Sequence, residues 1–147
     1  MVIVGRDLEE LAKAIGDDLS VSGDAIDLHI ESEGTLLRNA AESKINLREG
    51  EEFKLLPGEL FLVYTKEVVN LPNNVMGLVN LRSRYARKGF IQSTSLKVSP
   101  GFRGKILLEL SVITPAVLKP GDKLAQLILL RTSTDYSYEG VYQNQGL

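Results

Sequence analysis

Leu8, Leu11, Ala12 and Ile15 recur at the spacing of one helix face, and after them the apolar period drops to two. The first pattern predicts a single short N-terminal helix. Asp7 is placed to cap it, Glu10 completes a capping-box spacing, and Gly16 is placed to end it. Ile26, Leu28 and Ile30 then alternate with Asp27, His29 and Glu31, the signature of a half-buried strand. Further strands are expected over residues 44–47, 51–56, 59–65, 75–81, 91–98, 105–113 and 123–131. Pro57-Gly58, Pro100-Gly101 and Pro120-Gly121 punctuate them. Proline presets the first turn dihedral and glycine accepts the positive φ of a type II turn. Many short strands separated in this way predict an all-β sandwich or barrel. His29 is expected on a polar strand face, and Phe61 and Tyr64 in core or interface packing. Repeats and linkers are not evident, so residues 1–147 are expected to form one domain. From about residue 132 the chain is polar and aromatic without a period, a tail expected to need a partner surface to order it.

Composition narrows the function. A chain of 147 residues with 44% hydrophobic and 24% charged positions can bury a real core. A net charge of −2 argues against a surface built for long nucleic acid, so any anion site must be local. The chain has no cysteine and one histidine, His29. Disulfides, thiolate nucleophiles, Cys-based zinc sites, a His-rich metal site and the zinc-dependent route to deamination are therefore not expected. The first residues lack a basic segment followed by an apolar run, and no stretch reaches the ~18 apolar residues of a membrane span. A cytoplasmic protein without a membrane partner is expected.

Five clusters carry candidate chemistry. Arg82, Ser83, Arg84 and Arg87 follow the strand that ends at Leu81. If a helical turn starts there, its free N–H groups join fork donors and a hydroxyl, the set a polyphosphate needs; a solvated basic face is the alternative. Glu109 sits inside Ile106-Leu107-Leu108-Glu109-Leu110. Enclosed, it would suit proton transfer; otherwise it is an exposed strand glutamate. The turn within residues 97–104, Lys97 to Gly104, adds an aromatic ring and a basic residue. Gln126 is the one amide of an otherwise apolar strand. The tail over residues 138–146, with Tyr138, Tyr142 and Gln145 among its tyrosines and amides, could close over a ligand or remain a loose end.

The order of these clusters is more specific than any one of them. Residues 71–83 followed by Ala86-Arg87-Lys88-Gly89 resemble the arginine–serine motif of the dCTP deaminase and dUTPase superfamily. Ser99-Pro100-Gly101-Phe102-Arg103-Gly104 is similar to its next motif. Leu108-Glu109-Leu110, then residues 120–127, then residues 138–145, follow in the family's order. Gly5-Arg6-Asp7-Leu8 and residues 23–28 resemble its opening and early strand. The likeness is greatest to dCTP deaminases of the archaeal type. It implies a distorted β-barrel or jelly-roll subunit, a homotrimer with active sites shared between subunits, and a dCTP or dUTP triphosphate bound with Mg²⁺ carried on the phosphates.

The resemblance also implies roles. Glu109 would be general base and acid, Arg87 would hold its carboxylate, and Ser83 would help place the water or the base. Arg82, Ser83, Arg84, Ser99, Gln126, Tyr138 and Gln145 would bind substrate and triphosphate. Three positions depart from the pattern: Arg84 replaces a small hydroxyl, Ser99 replaces an aspartate, and Val141 stands where many deaminases carry lysine. Glu109 favours deamination of dCTP to dUTP. The lost aspartate at position 99 counts against dUTP diphosphatase activity, which stays open alone or coupled. A non-catalytic nucleotide-binding or interaction protein is a third reading, and a nucleic-acid module a fourth that the acidic balance disfavours.

Overall fold

A computed structural model of the chain describes residues 1–92 and 97–147. Its elements in order are α1 (Gly5–Ile15), β1 (Val21–Ser22), β2 (Ala25–Arg38), β3 (Ala41–Asn46), β4 (Phe53–Leu55), β5 (Leu60–Asn70), β6 (Val75–Leu81), α2 (Ser83–Ala86), β7 (Phe90–Gln92), β8 (Lys97–Val98), β9 (Arg103–Val112), β10 (Ala116–Leu118) and β11 (Lys123–Arg131). The protein is mostly β with one short N-terminal helix, as expected. Its main sheet runs β7-β9-β5-β2-β11-β6-β8, with β1 and β3 also on β2, and β10 pairs with β4. The paired strands are antiparallel.

The expected strand over residues 26–31 is less than half of β2. The observed strand is long because it serves two neighbours in succession: Ile26–His29 pairs with β11, and Ile30–Leu37 with β5. Of the expected strand over 91–98, β7 and β8 cover the two ends, and residues 93–96 lie outside the described residues. β1 and β10 were not foreseen, being too short for alternation to register.

Register shifts curl the sheet into a half-barrel. They fall between Ile30 and Gly34 on β2/β5, Tyr64 and Val68 on β5/β9, and Lys123 and Ala125 on β11/β2. Side chains replace ladder bonds lost at two of them. The buried Thr65 hydroxyl accepts from Ile106 N–H at 3.0 Å and donates to Glu67 C=O at 3.0 Å. The Glu67 carboxylate accepts from His29 N–H at 2.9 Å and meets the His29 ring nitrogen at 2.5 Å. His29 is thus half-buried against a carboxylate rather than simply facing solvent.

All three proline–glycine turns form. Gly58, Gly101 and Gly121 have φ of 90°, 78° and 81°. Each turn is closed by an N–H to C=O bond at 3.1 Å, Glu59 to Leu56, Phe102 to Ser99 and Asp122 to Lys119. The helix ends differ from expectation. α1 starts at Gly5 with Val4 as the flanking residue and no side-chain cap, so Asp7 sits inside the first turn and favours the helix dipole instead. Gly16 leaves in an extended conformation (φ −173°), not the left-handed one. A Cβ there would lie 2.7 Å from Val68 O, so close approach to β5 is what requires glycine. The apolar face of α1 buries Leu8, Ala12 and Ile15 in a core that includes Leu28, Phe61, Leu108, Leu127 and Leu129. Phe61 is buried and Tyr64 half-buried.

Candidate active site

β9 alternates along its length: Ile106, Leu108, Leu110 and Val112 are buried, while Lys105, Leu107, Glu109 and Ser111 are half-buried on the other face. Glu109 therefore points away from the core. It is not a plain surface glutamate, because β8, the Ser99–Phe102 turn and the C-terminal tail rise beside that face. They enclose a cavity of about 440 Å³ lined by Lys97, Val98, Ser99, Phe102, Ile106, Leu107, Glu109, Tyr138, Tyr142 and Gln145. Among the described residues, the Glu109 carboxylate has no hydrogen-bond or ion-pair partner, and it is free to meet a ligand. The walls are partly apolar and partly polar, as a small-molecule site requires.

The tail is held by the rest of the same chain. Tyr136 N–H bonds to Asn73 C=O at 2.8 Å and Tyr138 N–H to Pro100 C=O at 2.9 Å. The Tyr138 ring packs edge-on against Phe102, with centroids 5.9 Å apart. Gln145 bridges to Gly104 in parallel, accepts from Lys105 N–H at 2.8 Å and donates its side-chain amide to Lys105 C=O at 2.8 Å. The partner surface expected for residues after 132 is thus the protein's own turn and the start of β9.

Four expected site residues meet in this cavity: Ser99, Glu109, Tyr138 and Gln145. Five do not. Ser83, Arg84 and Arg87 are exposed on or just after α2, Arg82 precedes it, and Gln126 is half-buried on β11. The expected helical turn does begin after Arg82, whose C=O accepts from Tyr85 and Ala86 N–H. Tyr85 anchors the turn, buried against Phe90 with ring centroids 5.9 Å apart. Burial, and secondarily the Asp122 carboxylate, hold its hydroxyl above the ordinary value of 10.0; Arg84 and Arg82 oppose this. Arg82 is committed on one side to Asp27, and the Ser20 and Ser22 hydroxyls donate to the same carboxylate. Gln126 lies between Asp27 and Asn80 in the ladder, on the same face of the sheet.

Lys97 and Tyr142 fall inside two of the candidate clusters without an assigned role, and residue patterns give Ile106 and Leu107 no part in a site beyond flanking Glu109. Two signals were available: Leu107 shares the strand face of Glu109 two positions away, and Lys97 stands two before Ser99. Tyr142 lies in the tail whose tyrosines and amides could close over a ligand, but no local pattern distinguishes it there, because the tail's course depends on distant backbone.

Residues 9–132 match the family model described as dCTP deaminase-like. The chain belongs to that family. A dCTP deaminase-like protein of Acidianus ambivalens, named dCTP deaminase, is 33% identical over 147 residues, covering 98% of this chain and 84% of the relative. A protein of Sulfolobus islandicus rod-shaped virus 1, named probable deoxyuridine 5′-triphosphate nucleotidohydrolase, is 32% identical over 154 residues, covering 99% of this chain and 94% of the relative. The chain spans about half the length of several other relatives named dCTP deaminase. The crystal structure of 2′-deoxycytidine 5′-triphosphate deaminase from Agrobacterium tumefaciens shares the fold. Its TM-score is 0.72 at 18% identity, over 90% of this chain and 46% of that one. Among the described residues, no helix is long and apolar enough to cross a membrane.

Proposed function

We propose that this dCTP deaminase-like protein converts dCTP and water to dUTP and ammonia. The observation that carries the reading is Glu109, a carboxylate without a protein partner among the described residues, in a cavity of about 440 Å³ with Ser99, Tyr138 and Gln145. Glu109 takes a proton from water, the resulting hydroxide adds to C4 of cytosine, and the proton passes to the amino group, which leaves as ammonia. The relatives named dCTP deaminase support this choice of substrate. Gln145, Tyr138 and Ser99 bind the nucleotide from the same chain.

The second half of the site comes from a neighbouring subunit in this reading. Ser83, Arg84 and Arg87 are exposed and outside the Glu109 cavity. A homotrimer would bring another copy's α2 to each cavity, with Arg87 on the carboxylate, Ser83 beside the water, and Arg82 and Arg84 on phosphates. Gln126 supports that phosphate side from β11. Among the described residues, no group of three or more acidic or histidine side chains could hold a metal, and the cations around α2 suit phosphate oxygens. In this reading Mg²⁺ arrives as the counter-ion of the triphosphate. The protein works in the cytoplasm on free nucleotides, not on nucleic acid or at a membrane.

A second reading is dUTP hydrolysis to dUMP and pyrophosphate, favoured by the viral relative that matches 99% of this chain. One incubation with dCTP, dUTP and Mg²⁺, followed by nucleotide chromatography, separates the two. The expected product is dUTP from dCTP, without pyrophosphate. Appearance of dUMP would move hydrolysis first. Binding without conversion of either nucleotide would leave a non-catalytic nucleotide-binding protein.

A further inference from the structure

Ordering a terminal segment costs backbone entropy at each residue, so an exposed tail stays in place only where its bonds are dense. Here three of them fall on one residue outside the cavity, Arg103. The Arg103 N–H donates to Gln143 Oε1 at 2.8 Å, its C=O accepts from Asn144 N–H at 2.8 Å, and its guanidinium donates to Asn144 Oδ1 at 2.8 Å. Asn144 has φ of 64°, a left-handed conformation that asparagine tolerates better than most residues. The next residue on each side, Gly104 and Gln145, forms the parallel bridge.

The seat of the tail is cut into the backbone. A Cβ on Gly104 would lie 2.7 Å from Gln145 O and 2.8 Å from Gln145 N. A Cβ on Gly101 would lie 3.0 Å from Ser137 Cα and from Tyr138 N. Gln143 adds side-chain bonds to Gly101 C=O at 2.9 Å and Tyr138 C=O at 3.2 Å. Tyr142 N–H donates to the Tyr138 hydroxyl at 3.1 Å, and Gln145 N–H to Tyr142 C=O at 3.0 Å. The three tail residues that line the cavity are thus locked to one another and, through residues 143 and 144, to Arg103.

We propose that Arg103 is a positioning residue of the candidate active site: it clamps the C-terminal tail onto its own subunit, so that Tyr138, Tyr142 and Gln145 form a standing wall beside Glu109 before any ligand arrives. The ligand part of this proposal rests on reading the cavity as the nucleotide site; the clamp itself does not.

The test compares Arg103→Ala, Asn144→Gly, which keeps the left-handed backbone accessible, and the double variant. Hydrogen exchange at the Asn144, Gln145 and Lys105 amides without nucleotide reads the clamp. Calorimetric dCTP binding and the split between KM and kcat read its consequence. Either single variant should speed exchange at these amides by about tenfold. The dCTP KM should rise several-fold with kcat kept within about twofold, because Glu109 and Ser99 are untouched. The double variant should be no worse than Arg103→Ala, since both remove one interaction. Arg103→Lys should recover part of the protection. Unchanged exchange, additive effects, or a freed tail with unaltered dCTP affinity would each overturn the proposal. If the wild type binds neither dCTP nor dUTP, the nucleotide reading falls and the ligand role of Arg103 with it, while exchange still scores the clamp.

Discussion

The Arg82 guanidinium donates a 2.9 Å hydrogen bond to the carboxylate of Asp27, a side chain only 2% exposed. The pair spans β11, which lies between β2 and β6, and so fixes the entrance of α2 to the middle of the sheet. Ser22 donates to the second carboxylate oxygen at 2.7 Å, and Lys123 approaches it at 3.7 Å. Such a charge is tolerated in the interior because its acceptor sites are filled. Asp27→Asn keeps the shape and removes the charge, leaving Arg82 unpaired. The expected loss is about 2 kcal/mol, below the ~3–5 kcal/mol of a fully buried pair, because water reaches Arg82. Urea unfolding should show a lower midpoint at constant slope. A loss below about 0.5 kcal/mol would mean that the pair behaves as a surface contact.

Glu109→Gln tests the proposed chemistry. The amide keeps the volume and cannot take a proton from water. Turnover of dCTP should fall by at least about a hundredfold, the scale of general acid–base catalysis, with nucleotide binding changed much less. Single-turnover assays and calorimetry on the same preparation check both. Retained turnover would remove Glu109 from its assigned role.

What the sequence disclosed follows the range of the interaction. The α1 face was legible because Leu8, Ala12 and Ile15 repeat within two turns, and the three turns because proline and glycine set their own dihedrals. Glu109 and Ser99 were legible through motif order. The length of β2 was not, since residues 32–38 pair with β3 and β5 rather than following strict alternation. The tail was the least legible part. Its conformation is set by Arg103, Gly101 and Gly104, about forty residues upstream, and no local period reports a contact of that span. The separation of Arg87 from the Glu109 cavity likewise depends on where α2 leaves the sheet.

Gly34 shows how little room the curl leaves. It lies on β2 just past the register shift, and a Cβ there would sit 2.4 Å from Phe61 Cζ and 2.9 Å from Leu62 O. Phe61 cannot retreat easily, being buried and packed at a tilt against Phe53 with centroids 4.9 Å apart. Gly34→Ala should cost about 2 kcal/mol through overpacking, whereas alanine in an ordinary strand costs nothing relative to glycine. Thermal unfolding of Gly34→Ala alone and with Phe61→Leu is the check. Partial recovery in the double variant would identify the ring as the obstacle; an undiminished loss would point to the Leu62 carbonyl.

Tyr85 gives the stability a defined alkaline limit. Burial, with the Asp122 carboxylate adding to it, raises its hydroxyl pKa above the ordinary 10.0. In the unfolded chain the hydroxyl ionises near 10, while the folded state holds the proton. The folded state therefore binds more protons above pH 10, and stability falls as pH rises from there toward the folded pKa. Below pH 10 both states are protonated and the full stability is present. One such group contributes a slope of at most about 1.4 kcal/mol per pH unit. Lysines and the other tyrosines titrate in the same range, so the informative quantity is the difference between wild type and Tyr85→Phe. Urea midpoints from pH 8 to pH 11 should decline less steeply in the variant above pH 10, with α2 still packed on Phe90. Parallel declines would mean that the Tyr85 hydroxyl reaches water when the protein is folded, and that α2 is held by its backbone bonds to Arg82 rather than by the buried ring.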